Sequence, residues 1–143
     1  MANAIFDPGR EGFLAGEIDW DSAVIKVALV RSYTFSAAHK FVSDVTTAGG
    51  VLAATSAALT AKTVAAGVAD AADITYTAVA SNASGHSLLV FQSSAVGGGA
   101  DVAATAQRVI AYYDTGTGLP VTPNGGDITV AWGNVAGTLI FKL

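Results

Sequence analysis

Short apolar segments that alternate with turn signals run along most of the chain, and they limit the folds that it can adopt. The segments rich in β-branched and aromatic residues lie at 22–31, 51–59, 74–79, 87–92, 107–114, 127–132 and 138–143. Clusters of Gly, Asn, Asp and Pro separate them, most clearly at 114–118 and 123–126. Because roughly six to eight strands at such short spacing are typical of sandwiches and barrels, the chain is predicted to be mainly β. We expect an antiparallel β-sandwich or a jelly-roll-like barrel with one short N-terminal helix or arm.

Individual segments carry more detailed predictions. Residues 22–31 are apolar on both faces, which predicts a central strand that is buried on both sides. Residues 36–42 are predicted to form one helical turn. Residues 127–132 alternate between apolar and polar side chains, so Trp132 is expected to be buried and Asp127 exposed.

The first 16 residues are the least β-like part of the chain. Asp7 is a suitable helix N-cap, and Pro8 suits the first helical position because its missing N–H would have no partner there. Each glycine among these residues weakens a helix by roughly 1 kcal/mol relative to Ala. We therefore predict two units: an N-terminal arm or short helix at 1–16, and a single β-sandwich domain at 17–143.

The N-terminal segment also carries apolar side chains that need a surface to bury them. The sandwich has enough predicted strands without this segment. We therefore expect a docking arm that folds fully only on its partner. The candidate contact residues are Phe6, Arg10, Phe13 and Leu14.

Composition and charge pattern argue against a nucleic-acid partner and against a membrane span. The chain has 52% hydrophobic and only 13% charged residues, against a usual charged fraction of roughly 25%. Either small polar side chains cover its surface, or neighbouring subunits do. The seven basic residues are scattered, so no nucleic-acid partner is predicted. Polar residues interrupt the uncharged stretches at 45–61 and 74–100, so no membrane span is predicted, and no secretory leader is visible.

The residues that usually carry catalysis are sparse. Cysteine is absent, and His39 and His86, the only histidines, are expected to have ordinary surface or turn roles. Asp19 and Asp21 flank Trp20, where they form either a turn that caps the next strand or a carbohydrate site with a Trp platform. Since no Gly-x-Ser-x-Gly elbow is present, we predict no enzymatic activity, no catalytic residue, no cofactor and no metal.

Three motifs are similar to those of a known class of proteins. They are Gly-Arg-Glu at 9–11, Ile-Lys-Val-Ala-Leu-Val at 25–30 and Leu-Pro-Val-Thr-Pro-Asn-Gly-Gly-Asp-Ile at 119–128. With them, the opening and closing segments resemble small structural proteins of tailed bacteriophages. The resemblance implies a non-enzymatic virion component, a capsid decoration (cement) protein on the capsid surface that is made in the host cytoplasm. Its implied partners are the major capsid protein and copies of itself.

Other functions remain open at this stage. The resemblance also fits a neck or tail component of the virion. A carbohydrate-binding or host-surface-binding module could instead use Trp20 or Trp132 as a stacking platform. A small hydrolase is the third alternative.

Overall fold

The computed structural model describes residues 3–133 and 140–143, and it is mainly β with two short helices among these residues. The prediction of an antiparallel, sandwich-like β-fold is confirmed. In chain order the elements are β1 (Asn3–Ile5), α1 (Asp7–Leu14), β2 (Ile25–Arg31), α2 (Val42–Thr47), β3 (Val51–Thr55), β4 (Thr63–Ala65), β5 (Val68–Asp70), β6 (Ile74–Tyr76), β7 (Ser87–Gln92), β8 (Ser94–Ala95), β9 (Gly98–Asp101), β10 (Arg108–Tyr113), β11 (Ile128–Val130) and β12 (Phe141–Lys142).

The main sheet has five antiparallel strands in the order β1-β10-β7-β2-β3. A three-stranded sheet follows the order β12-β5-β4, and two strand pairs, β11-β6 and β8-β9, complete the described strands. The two edges of the main sheet, β1 and β3, are both short. The longer apolar strands therefore occupy its centre, as the sequence predicts for 22–31.

Each face of the main sheet is buried in a separate hydrophobic core. The first core includes side chains from β2, β7 and β10 together with residues of β5, β6 and β12 on the smaller sheets. The second core lies on the opposite face, where α2 and the segment 33–35 cover it. Along β2, Val27 and Leu29 enter the first core while Ala28 and Val30 enter the second. This alternation explains why the middle of the strand, residues 27–30, is apolar on both faces.

The N-terminal segment belongs to this architecture, so the expectation of a docking arm that folds only on a partner is wrong. Strand β1 pairs with β10 from Asn3 opposite Tyr113 to Ile5 opposite Ala111. Of the two predicted alternatives, an arm or a short helix, the structure has the helix. Asp7 is predicted at the N-cap position, but it is the first helical residue and Phe6 occupies the N-cap position. The segment is ordered because long-range pairing and burial compensate for its weak helix propensity.

The glycines that weaken α1 also allow it to approach the sheet. A Cβ atom on Gly9 would lie 3.0 Å from the carbonyl oxygen of Ile110, and one on Gly12 would lie 2.7 Å from the side chain of Ile18. Both positions therefore favour glycine for close packing rather than for flexibility. The Gly-Arg-Glu motif is thus part of the helix–sheet contact.

The helical turn predicted at 36–42 is displaced along the chain. The helix is α2, Val42–Thr47, and it begins where the prediction ended. The carboxylate of Asp44 accepts hydrogen bonds from the backbone N–H groups of Phe41 (2.9 Å) and Lys40 (2.8 Å). These bonds lower the pKa of Asp44, with the bond from Phe41 contributing most. Asp44 is therefore the residue that fixes the start of this helix.

Candidate functional site

Two of the four predicted contact residues, Phe6 and Arg10, do not present apolar surface to a partner. Phe6 is fully buried in the second core, with its ring centroid 5.1 Å from that of Phe35. Its assignment as a contact residue is therefore wrong. Arg10 is exposed, and its guanidinium donates to the carbonyl oxygen of Ile5 (3.0 Å), which ties α1 to β1.

The other two contact residues lie at the end of α1 and remain near the surface. Phe13 is half-buried, and its ring centroid lies 5.7 Å from that of Phe141. Leu14, the last residue of α1, is 90% exposed. Leu14 is therefore accessible to a partner but contributes little burial to the described fold.

An apolar cleft opens beside Phe13, and we call it the Trp20 cleft. It has a volume of about 340 Å³. Its principal lining residues are Phe13, Ile18, Trp20, Val64, Val96, Phe141 and Leu143. Trp20 forms part of its wall and packs edge-on against Phe141 with ring centroids 5.2 Å apart. Because Trp20 is only 5% exposed, it does not offer a stacking face to a sugar.

The rim of the Trp20 cleft is built by three separate parts of the chain. Val64 lies on the edge strand β4, Val96 lies in the turn between β8 and β9, and Leu143 follows β12. These three are among the five large hydrophobic side chains that are exposed in the described residues. Three of the five exposed large hydrophobic side chains in the described ranges thus lie at one place, which is typical of a contact site.

Close backbone approaches hold this rim together. The backbone N–H of Leu143 donates to the carbonyl oxygen of Gly67 (2.9 Å) in the turn between β4 and β5. Gly67 has a φ of +77°, and a Cβ atom there would lie 3.1 Å from the carbonyl oxygen of Leu143. Gly98 has a φ of +86°, and its Cβ would lie 2.7 Å from the carbonyl oxygen of Ser22. Glycine is required at both turns.

The pair of acidic residues beside Trp20 forms a turn, as one of the two interpretations predicts. The Asp19 carboxylate accepts hydrogen bonds from the backbone N–H groups of Asp21 (2.9 Å) and Ser22 (3.1 Å). Hydrogen bonding, with that from the Ser22 backbone largest, lowers the pKa of Asp19. The Lys62 ammonium donates to the carbonyl oxygen of Ala23 (2.6 Å) and stabilises the same turn. Asp19 therefore caps the turn before β2.

A second cleft, which we call the Trp132 cleft, lies beside β11. It has a volume of about 380 Å³. Trp132 lines it together with Leu119, Val121 and Ile128, and with the hydroxyl-bearing Thr115, Thr117 and Thr129. The alternation predicted for this strand is confirmed, and Asp127 is exposed as expected. Trp132 itself is half-buried rather than buried, because β11 ends at Val130 and the ring lies beyond the strand.

The two histidines have structural partners. The Nδ1 atom of His39 lies 2.8 Å from the hydroxyl of Tyr33. His86 is buried and forms an isolated antiparallel bridge with Val121, so the expected surface or turn role is wrong. Its backbone exchanges two hydrogen bonds with Val121 (2.8 and 2.9 Å), and its Nδ1 atom lies 2.8 Å from the carbonyl oxygen of Ser84. Within the described ranges, no group of three or more His, Asp or Glu residues could hold a metal ion.

Arg108 is the charged residue whose role the sequence does not reveal. It opens β10 and is only 5% exposed. Its guanidinium donates to the carbonyl oxygen of Pro8 (2.7 Å), forms an ion pair with Glu17 (2.9 Å) and lies 5.7 Å from the ring centroid of Phe41. Arg108 thereby links the main sheet to both ends of the α1 region, next to the Trp20 cleft.

Comparisons with known proteins add no relative. In the part of the chain that the structure describes, no helix is long and apolar enough to cross a membrane. Searches for a matching protein-family model, a similar curated protein and a similar solved structure each find none.

Proposed function

We propose that this chain is a non-enzymatic structural component of a phage virion, a capsid decoration protein that binds the major capsid lattice. The Trp20 cleft and the adjacent Leu14 form the contact surface. The observation that carries this proposal is the concentration of exposed apolar side chains there. Val64, Val96 and Leu143 surround one cleft, and Phe13 connects it to Leu14.

The motifs that resemble phage structural proteins support the same role. Gly9 and Arg10 of the Gly-Arg-Glu motif hold α1 against the main sheet. Helix α1 in turn carries Phe13 to the cleft and ends at the exposed Leu14. The motif therefore contributes to the contact surface indirectly, by positioning α1, while Phe6 and Arg10 stabilise the fold. Two of the four contact residues expected from the sequence, Phe13 and Leu14, remain in the proposal.

The chemistry of the cleft fits repeated, shallow binding. Few charges surround it, so covering it incurs little desolvation of ionic groups. Each copy would bury only a modest apolar area, which gives weak affinity for a single contact. Many identical sites on a lattice, and contacts between neighbouring copies, would compensate through multivalency.

Replacing Val64 by Asp tests this surface. Val64 is 56% exposed on an edge strand whose residues are all exposed, so the variant should fold normally. Loss of one apolar contact of about 1.4 kcal/mol corresponds to about tenfold weaker binding, and a buried carboxylate would weaken binding further. We therefore expect Val64→Asp to reduce co-sedimentation with empty capsids of the same phage by about tenfold or more.

A matched control is available outside the cleft. Val51 is 39% exposed on β3, the far edge of the main sheet, and does not line the cleft. Val51→Asp makes the same chemical change and should leave capsid binding unaltered. Equal binding by both variants and the natural protein would contradict the proposed surface. Binding to purified tails or necks, but not to capsids, would instead favour the neck or tail alternative.

The Trp132 cleft supports a second candidate, a carbohydrate-binding or host-surface-binding module. A half-buried Trp ring beside three threonine hydroxyls offers an apolar ring face and hydrogen-bonding groups that are suited to binding a sugar. Under this alternative, Trp132→Ala should abolish retention on host-cell polysaccharide, whereas Val64→Asp should not affect it. If neither variant changes retention, or the natural protein is not retained at all, the alternative fails.

A further inference from the structure

Two asparagine turns with the same side-chain hydrogen bond lie side by side in this fold. In the first, the side-chain oxygen of Asn82 accepts a hydrogen bond from the backbone N–H of Ser84 (2.8 Å). In the second, the side-chain oxygen of Asn124 accepts one from the backbone N–H of Gly126 (3.0 Å). The turns also contact each other, because the backbone N–H of Asn82 donates to the carbonyl oxygen of Pro123 (3.0 Å).

The two turns differ in the residue that follows the asparagine. Ala83 follows Asn82, whereas Gly125 follows Asn124. Gly125 has a φ of +93°, and nothing lies within 4 Å of the position that a Cβ atom would occupy. The backbone nitrogen after Asn124 therefore has no side chain of its own residue beside it, while that after Asn82 lies beside the methyl group of Ala83. Asn124 is also exposed, so water has free access to it.

We propose that Asn124 is a self-modification site at which the folded protein loses its side-chain amide. The backbone nitrogen of Gly125 attacks Cγ of Asn124, forming a new N–Cγ bond. Water takes the proton from the Gly125 nitrogen and supplies a proton to Nδ2, the Cγ–Nδ2 bond breaks, and the nitrogen leaves as ammonia. The product is a five-membered succinimide. Water then opens either of its two carbonyl groups, giving aspartate or isoaspartate at position 124.

The turn assists this reaction in two ways. The hydrogen bond from Gly126 polarises the Asn124 side-chain carbonyl and holds that side chain against the backbone that follows it. Glycine at 125 imposes no steric barrier to the approach of its own nitrogen. By contrast, the Asn3 side chain donates to the carbonyl oxygen of Thr115 (2.6 Å) and accepts from two backbone N–H groups (both 3.1 Å), which holds it away from such a reaction.

The two products should affect the fold differently. The carbonyl oxygens of Pro123 and Gly126, on either side of Asn124, accept hydrogen bonds from Asn82 (3.0 Å) and Val79 (3.0 Å). Isoaspartate inserts a methylene group into the main chain between these two acceptors, so both bonds cannot keep their geometry. Aspartate leaves the main chain unchanged and adds only a negative charge. The isoaspartate product should therefore loosen the contact between the two turns.

Incubation of the purified full chain at neutral to mildly alkaline pH, followed by peptide mass mapping, tests the proposal. We expect the mass change of amide-to-acid conversion at Asn124, with both aspartate and isoaspartate, and none at Asn82 or Asn3 over the same period. Isoaspartate is read out independently by enzymatic methylation of the separated peptides. If Asn124 keeps its amide in the folded protein while it converts in urea, the turn protects it and the proposal is overturned.

Two variants test why Asn124 is selected. Gly125→Ala should slow conversion at Asn124 by about tenfold or more, because reaction geometry becomes hindered. Since Ala is strained at a φ of +93°, Gly125→Ala also changes the conformation of the turn. The reciprocal variant Ala83→Gly introduces no such strain and tests the effect of the following residue alone. It should create a new reactive site at Asn82 while Asn124 still converts. An unreactive Asn82 in Ala83→Gly, or an unchanged rate at Asn124 in Gly125→Ala, would contradict the proposal.

Discussion

A chain that begins at Glu17 should fail to fold, in contrast to the expectation that the first 16 residues are a separable docking arm. Removal of the first 16 residues would leave β10 without its neighbour β1, and would expose the second core where Phe6 is fully buried. It would also remove the Pro8 carbonyl group that Arg108 binds. We expect the truncated chain to be insoluble, or to show neither cooperative unfolding nor the circular dichroism of the full chain.

The single substitution Phe6→Ala isolates the packing part of this effect. A fully buried Phe replaced by Ala typically lowers the free energy of unfolding by about 3–5 kcal/mol, and the contact with Phe35 would be lost as well. Leu14→Ala, at a 90% exposed position of the same segment, should change it by less than about 0.5 kcal/mol. Urea denaturation of both variants gives the comparison. Equal stability of Phe6→Ala and the natural chain would restore the docking-arm interpretation.

The strands could be predicted because their signal is local. The segments at 22–31, 87–92 and 107–114 combine β-branched residues with flanking turns, and each contains a strand of the main sheet. Alternation at 127–132 likewise placed Ile128 and Val130 on the inner side and Asp127 in solvent. In these places local propensity and tertiary burial favour the same conformation, so the sequence pattern is sufficient.

The N-terminal segment shows where local reasoning fails. Its glycines lower helix propensity, which suggested a segment unable to order itself. The structure uses Gly9 and Gly12 for close packing instead, and stability comes from pairing with β10, more than 100 residues away along the chain. No local pattern encodes a partner at that separation. The same holds for the Trp20 cleft, whose rim combines Val64, Val96 and Leu143 from three distant segments.

Arg108 should be the most sensitive charged position in the described structure. Arg108→Ala removes the hydrogen bond to the Pro8 carbonyl oxygen and the packing of the guanidinium on Phe41, and it leaves a cavity between α1 and the sheet. We expect the free energy of unfolding to fall by about 3 kcal/mol. Arg10 is a matched control, because it also donates to a backbone carbonyl oxygen but from an exposed side chain. Arg10→Ala should cost less than about 1 kcal/mol.

The double variant Arg108→Met, Glu17→Gln distinguishes packing from charge at this position. Met has an adaptable apolar side chain that fills much of the space of the arginine stem, and Gln removes the negative charge left without its partner. Since the double variant leaves no charge without its partner, and Glu17 is already half-exposed, it should recover most of the stability lost in Arg108→Ala. Recovery would mean that Arg108 acts mainly by filling the junction between α1 and β10. If the double variant is as unstable as Arg108→Ala, the hydrogen bond to Pro8 and the ion pair with Glu17 are what hold α1, and with it Phe13 and Leu14, beside the Trp20 cleft.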